Sequence, residues 1–363
     1  MKIFQAPFFL FLLLFHFGYT QPSSPRKLNV IGYYAGRPSE IDSFETQKLT
    51  HLIFSFCHLN NASLTVSSAK DSVTIQNMIS LKEHHPALKV LLSLGGWGGC
   101  APCSDVFNDL DSTRLFIASV RHLTEYFHTD GIDLDWEYPV IPGYDGHNRR
   151  PEDKTNFTRL VQMLRKEMGK QFIISFAAGG FPSFLEKSIE WQKVMPLVNM
   201  VNLMTYDLIS GTDTVTGHHT ALYSTKIQRA SADQAVNFLL DKKVPASKIV
   251  IGAAFYARVF KDVDSVNNGL YQRAKFEKGI SFRNLDRELS IDSGYVYHWD
   301  ETAKAPYLYN KVKREFVTFD DKKSLQLKTQ YALNKRLNGI MFWQLAEDTY
   351  SGGLLEAISE TAK

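Results

Sequence analysis

DGIDLDWEYP, residues 130 to 139, places Asp133, Asp135 and Glu137 at every second position of an otherwise apolar run. In a β-strand a period of two points all three carboxylates to one side, with successive same-face Cα atoms about 6.7 Å apart. Carboxyl groups that close repel one another when ionised, which holds at least one of them protonated near neutrality. A general acid is made in this way. A hard-cation site is a competing reading of the same spacing. A solvated acidic edge strand fits less well, because Ile132, Leu134 and Trp136 between the acids suit a covered surface. An EF-hand loop would need Gly where Asp135 stands.

Working outward, seven further runs share the apolar, β-rich character of this one: LNVIGYY (28 to 34), LIFSFC (52 to 57), KVLLSLGG (89 to 96), FIISFAA (172 to 178), MVNLMTY (200 to 206), IVIGAAF (249 to 255) and GIMFWQL (339 to 345). They are continuous rather than alternating, as expected for parallel strands covered on both faces. Between them lie segments of helical periodicity: SVTIQNMISLKEHH, DSTRLFIASVRHLTEYFH, NFTRLVQMLRKEMG, SADQAVNFLLDKK and KKSLQLKTQYALNKRL. Eight strands alternating with helices predict an α/β fold, a (β/α)8 TIM barrel over residues 27–363, with its chemistry at the C-terminal strand ends. A doubly wound sheet is disfavoured, because GYYAGRPSE after the first strand is not the Gly-rich dinucleotide fingerprint. The long gap before the last strand, residues 259–330, contains GYVYHW and APYLYN, then the Lys-rich KVKREFVTFDDKK, which is expected to be exposed. It reads as a small α+β insertion between strands seven and eight.

The 363 residues are 44% hydrophobic and 13% aromatic, enough for a large core. With 41 basic against 38 acidic residues the formal charge is +3, too small an excess to argue for nucleic acid or an anionic membrane as partner. Lys2, the apolar run from Phe8 to Phe17 and the polar QPSSPRK after Thr20 have the layout of a secretory signal peptide over residues 1–20. The expected mature protein is therefore secreted, extracellular or periplasmic, free of the membrane and monomeric. Sequons stand at Asn61 and Asn156. Cys100 and Cys103 form a C-x-x-C pair in a Gly-rich turn, and Cys57 is left over. A disulfide bracing that turn is the favoured reading, against a redox pair or a zinc site, which lacks further ligands.

The strand ends collect a particular set of side chains. Tyr33 closes the first strand and Phe56 the second; Gly96 and Trp97 follow the third. The acids lead to Tyr138 on the fourth, Met204, Tyr206 and Asp207 close the sixth, Arg258 the seventh and Trp343 the eighth. Aromatic faces with a few acids suit a sugar ring, whose C–H faces stack on aromatics while polar groups hold its hydroxyl and amide edges.

On these residues the chain resembles the family 18 glycoside hydrolases, the chitinases. DGIDLDWEYP looks like the family's D-G-x-D-x-D-W-E signature, SLGGW (93 to 97) its S-x-G-G motif and MTYD (204 to 207) its sixth-strand motif, with Trp343 matching the subsite-floor tryptophan. The resemblance implies a hydrolase of β-1,4 links in chitin or N-acetylglucosamine oligosaccharides, without metal or organic cofactor. It implies that Glu137 protonates the glycosidic oxygen and that the substrate's own N-acetyl oxygen attacks the anomeric carbon, giving an oxazolinium ion. Asp135 would couple Glu137 and Asp133 to the acetamido group, and Tyr206 would hydrogen-bond it. Asp207 and Arg258 would hold substrate oxygens, Trp97 would stack on the leaving-group side, and Tyr33 and Phe56 would support the subsite over Trp343. Thr129 stands where the family commonly has an aromatic, and the C-x-x-C after Trp97 is no part of the motif. An endo-β-N-acetylglucosaminidase acting on N-glycans and a non-catalytic chitin-binding lectin are the alternatives.

Overall fold

The computed structural model describes Met1 and residues 28–363, so the leader expected over residues 1–20 lies, beyond Met1, outside the described residues. Eight parallel strands form the core: β1 (Asn29–Tyr34), β2 (His51–Asn60), β3 (Lys89–Gly95), β4 (Gly131–Asp135), β5 (Ile173–Gly179), β6 (Met200–Met204), β7 (Ile249–Ala254) and β8 (Gly339–Trp343). Each pairs with the next, and β8 also pairs with β1, which closes the sheet into the expected (β/α)8 barrel. Alternation along each strand divides the side chains. Ile31, Tyr33, Ile53, Leu91, Val250 and Met341 meet inside the barrel, while Val30, Tyr34, Ile132 and Leu134 pack outward against the helices. Covered on both faces, the strands carry no polar/apolar alternation, and each large side chain buried this way contributes about 1.5–3 kcal/mol.

The helices begin where their caps dictate. Ser68 accepts from the Asp71 N–H at the start of Ala69–Ser80, and Asp109 accepts from the Ser112 N–H at the start of Leu110–Phe127. The second of these buries Phe116, Ile117, Val120, Thr124 and Phe127, a stripe at helical spacing, and stops at His128, which turns left-handed with φ 59°. Helices Asp153–Met168, Ala232–Asp241 and Lys322–Asn334 correspond to the other periodic segments. The short helices Pro182–Lys187 and Trp191–Val194 and the terminal Leu354–Thr361 were not foreseen, being too short for a period to register. No helix among the described residues is long and apolar enough to cross a membrane.

Between β7 and β8 stands a second, five-stranded antiparallel sheet, made of Tyr256–Lys261, Lys275–Ser281, Val296–Asp300, Ala305–Asn310 and Glu315–Thr318. The Lys-rich segment expected to be exposed divides: residues 311–314 are exposed, but Phe316, Val317 and Thr318 are buried because their strand lies inside the sheet. Just beyond it Asp320 and Lys328 form a fully buried ion pair, with Lys328 Nζ 2.7 Å from both carboxylate oxygens. Asp320 also accepts from Thr220, Ser324 and the Ala254 N–H at the end of β7. One buried carboxylate thus ties β7, the segment after β6 and the helix leading into β8. Of the two sequons, Asn61 is exposed, whereas Asn156 is buried with its amide donating to Asn108, so no glycan fits there.

Candidate active site

The site is built on β4. Parallel register sets Ser93 of β3 and Ser175 of β5 beside Asp133, and both hydroxyls donate to it, at 2.9 and 2.6 Å. The Tyr33 hydroxyl (3.0 Å) and the Asn202 amide (3.2 Å) complete four donors around a carboxyl group with no solvent contact. Burial pushes the Asp133 carboxyl up, and the four hydrogen bonds work against that rise. Asp133 is therefore a fixed polar anchor in the barrel floor. Its neighbour along the same face differs. Asp135 has one carboxylate oxygen, Oδ1, that is buried and meets no donor. Burial first, then the charges of Glu137 and Asp133, hold its carboxyl well above the usual range.

β4 ends at Asp135, so Glu137 projects from the loop beyond the strand rather than from the strand itself. Exposure nevertheless rises along the series, from 0% at Asp133 through 4% at Asp135 to 7% at Glu137, which reaches the cleft rim. Burial pushes the Glu137 carboxyl up to about 7, opposed by the Tyr138 hydroxyl and aided by the charge of Asp207. Asp135 and Glu137 repel one another, so their protons leave as those of a pair. The arrangement supplies a carboxylic acid that can give up a proton near neutrality and a second acid that stays protonated beside it. Because only protonated Glu137 can donate, kcat/KM on an oligosaccharide is expected to fall as pH rises through about 7. A pH–rate profile with no loss on that side would remove Glu137 from the acid role.

Tyr206 lies behind these acids. Its hydroxyl finds only the Met341 sulfur at 3.9 Å, and so keeps its capacity for a polar group entering the cleft. Asp207, with φ 53°, turns the chain at the end of the MTYD run. Its Oδ1 accepts from Arg258 Nε at 2.5 Å and from the Tyr256 hydroxyl at 2.6 Å, with His219 Nδ1 3.5 Å away. Burial pushes Asp207 up, but the bonds from His219 and Arg258 outweigh it and hold the carboxyl far below its usual range. Arg258 does not close the seventh strand as expected. It sits on Tyr256–Lys261, the first strand of the second sheet, and reaches back over the barrel to Asp207.

The aromatic lining divides into two groups. At one end Trp343 stacks on Phe56, with ring centroids 5.5 Å apart and 14° between planes, and leans on Tyr33 at 5.9 Å. Gly96 explains the SLGG run: it adopts φ +77°, and a Cβ there would lie 2.3 Å from the Phe56 ring. A Cβ on Gly95 would meet the Asp135 carbonyl oxygen at 2.2 Å, so both glycines permit close approach of backbone and ring. At the other end Trp97 faces Tyr138 at 6.3 Å. Met204 packs in the barrel interior with Tyr206 and Met341. Cys100 and Cys103 are bonded, with Cα atoms 5.2 Å apart, and close the turn after Trp97; Cys57 is free and buried, and burial pushes its thiol up.

The structure brings the side chains singled out from the sequence together in linked sets at the end of the barrel: Asp133 with Tyr33, Asp207 with Arg258, Trp343 with Phe56 and Tyr33, and Trp97 with Tyr138. It adds Ser175, Asn202, His219 and Glu347. Ser175 and Asn202 left a trace, as lone polar residues inside apolar strand runs. His219 lies in a turn and Glu347 in the single 3-10 turn Leu345–Glu347, both too short to leave a pattern, yet burial pushes the Glu347 carboxyl up to about 7, and its Oε2 meets no donor. Among the described residues no group of three or more His, Cys, Asp and Glu side chains could hold a metal ion.

A closed (β/α)8 barrel with an acid at the rim of its fourth strand can serve a glycosidase among other enzymes, and comparison with known proteins makes the class specific. The profile of the glycosyl hydrolases family 18 matches residues 29–348, and the chain belongs to this family. It is 34% identical to Chitinase A1 of Niallia circulans over 76% of its own length and 42% of that protein's. With Chitinase B of Serratia marcescens it shares 29% identity, over 88% of this chain and 77% of the other. Among solved structures, a family 18 N-acetylglucosaminidase from Paenibacillus barengoltzii superposes with a TM-score of 0.83 at 33% identity, covering 92% of this chain and 99% of that one.

Proposed function

We propose that the chain is a secreted, monomeric chitinase that hydrolyses β-1,4 links between N-acetylglucosamine units with retention of configuration. The observation that carries the reading is the juxtaposition of Glu137, raised to about 7, with the Tyr206 hydroxyl, whose one bond is a long one to the Met341 sulfur. Glu137 gives its proton to the glycosidic oxygen as the C–O bond breaks, and the N-acetyl carbonyl oxygen of the same sugar closes on the anomeric carbon. Positive charge then sits on an oxazolinium ring, which needs no carboxylate nucleophile from the protein. Protonated Asp135 orients the acetamido N–H and Tyr206 its oxygen, contacts that strengthen as charge develops. Water, losing a proton to Glu137 now acting as base, attacks the anomeric carbon from the face the leaving group vacated, opposite the acetamido oxygen, and so breaks the oxazolinium C–O bond with the β configuration restored. Asp207 and Arg258, locked together, hold substrate oxygens beside Trp343.

A second reading, removal of single N-acetylglucosamine units, is favoured by the likeness to the Paenibacillus enzyme. The product ladder from chitohexaose, with anomers resolved by proton NMR, tests both. Disaccharide and longer products first seen as the β anomer support a chitinase; monosaccharide alone supports the second reading. Initial α anomer would overturn substrate assistance, and binding without any product would leave a lectin.

A further inference from the structure

We infer that His219 is a positioning residue for the Asp207–Arg258 pair: it holds the carboxylate oxygen Oδ1 in place, so that Oδ2 is the oxygen offered to a ligand in the cleft. The inference rests on the glycosidase reading above, in which Asp207 meets the substrate. His219 touches no solvent, and neither of its ring nitrogens has a full hydrogen bond, an uncommon state for a buried imidazole. What its Nδ1 does meet is Asp207 Oδ1, at 3.5 Å. The same oxygen already accepts from Arg258 Nε at 2.5 Å and from the Tyr256 hydroxyl at 2.6 Å. A carboxylate oxygen has about two good acceptor directions, so the third group stands further out and closes the side they leave open. The His219 ring also packs on Tyr256, with centroids 5.2 Å apart, and so backs one of those two donors. Oδ2 accepts from none of the described residues, and the Asp207 side chain is 37% exposed.

The ring is aimed by its own backbone. The His219 N–H donates to Thr318 Oγ1 at 3.0 Å, and Thr318 pairs with Arg258 in the second sheet. Its carbonyl accepts the N–H of Leu208, the residue after Asp207, also at 3.0 Å. His219 is thus fastened on one side to the partner of Arg258 and on the other to the neighbour of Asp207. The residues flanking it are equally buried and equally committed. His218 Nε2 lies 3.0 Å from Asp300 of the second sheet, and the Thr220 hydroxyl donates to Asp320 at 2.7 Å. Three consecutive side chains therefore reach three carboxylates on different elements, which fixes the segment and His219 with it. The place of the proton follows. An Nδ1–H points a dipole at the carboxylate, whereas the other tautomer would set a lone pair against it and bury an N–H with no acceptor, the costlier arrangement. Burial lowers the basicity of the ring, and the Asp207 and Asp320 charges oppose that fall while the Arg258 charge adds to it.

Two measurements test the inference. In the wild-type chain at neutral pH, NMR of the imidazole nitrogens is expected to show a neutral His219 ring protonated at Nδ1, its signal identified by loss in His219→Asn. A ring protonated at Nε2 would overturn the inference. In kinetics on chitohexaose, His219→Phe keeps a ring but has no donor, and KM is expected to rise roughly three- to tenfold at nearly unchanged kcat, as for one lost hydrogen bond. His219→Asn, whose amide reaches the place of Nδ1 and can donate there, is expected to recover most of that loss. An unchanged KM in the Phe variant, a fall in kcat alone as from a partly unfolded sample, or an Asn variant no better than the Phe variant would each overturn the inference. A wild-type chain without turnover would instead overturn the glycosidase reading. The affinities of the same variants for chitohexaose in calorimetric titration, with the imidazole spectrum, would then decide the role of His219.

Discussion

Glu137→Gln is expected to lower kcat on a chito-oligosaccharide by about 10²- to 10⁴-fold, the usual worth of a positioned general acid, while the sugar still binds. The substitution is nearly isosteric, and an amide, like the protonated acid it replaces, is neutral at a position that is only 7% exposed. It cannot transfer a proton, so the leaving oxygen departs unassisted, and in the second step no base takes the proton from water. On the proposed reading binding rests on groups the change does not touch: Trp343, which stacks on Phe56, Tyr206, and the Asp207–Arg258 pair. Product release followed by chromatography, with calorimetric titration of chitohexaose into the same variant, separates the two. Wild-type turnover in this variant would exclude Glu137 as the acid, and lost affinity with unaltered turnover would reassign it to binding.

Lys328→Met is expected to cost about 3–5 kcal/mol of stability, the range for removing one member of a buried ion pair. Both Lys328 and Asp320 are without solvent contact on their side chains. Burial pulls the ammonium down, and the Asp320 charge opposes that fall. Without Lys328 the carboxylate would keep Thr220, Ser324 and the Ala254 N–H as donors but lose its counter-charge in a medium of low polarity. Urea unfolding should show a lower midpoint at unchanged slope. Replacing Asp320 by Leu at the same time should recover part of the loss, because no charge is then left unpaired. A single-variant cost within the range of an exposed pair, below about 1 kcal/mol, would mean that water reaches Asp320.

Both expectations start from features of unequal visibility in the sequence. Glu137 could be read directly, because three acids at alternate positions in an apolar run have few uses and the following W-E-Y-P matched a family signature. The barrel was legible for a related reason: strands covered on both faces must be apolar throughout, and eight such runs separated by helical patterns admit few folds. Of the buried pair, Asp320 was hidden in a Lys-rich segment expected to be exposed and Lys328 in the Lys-rich helical run after it, since composition does not reveal which lysine faces inward. Arg258 was placed at the right cleft but on the wrong element, because the sharp turn at Phe255 that starts a new sheet leaves no periodic mark in one residue.

By itself the sequence determined the fold class, which follows from local patterning, and pointed to the fourth strand as the centre of the chemistry; spacing left an acid or a cation site open there, and Glu137 as the acid is what the resemblance to the family signature implies. Only the tertiary structure decided who surrounds each acid. Barrel closure and register bring Ser93, Ser175, Asn202 and Tyr33 to Asp133 from four other strands, and leave Asp135 Oδ1 without a partner. The difference between an anchor and a proton carrier is a difference in burial and hydrogen-bond donors. Those come from residues 40 to 100 positions away in the chain, or from the second sheet reaching over the rim, and no local pattern encodes them.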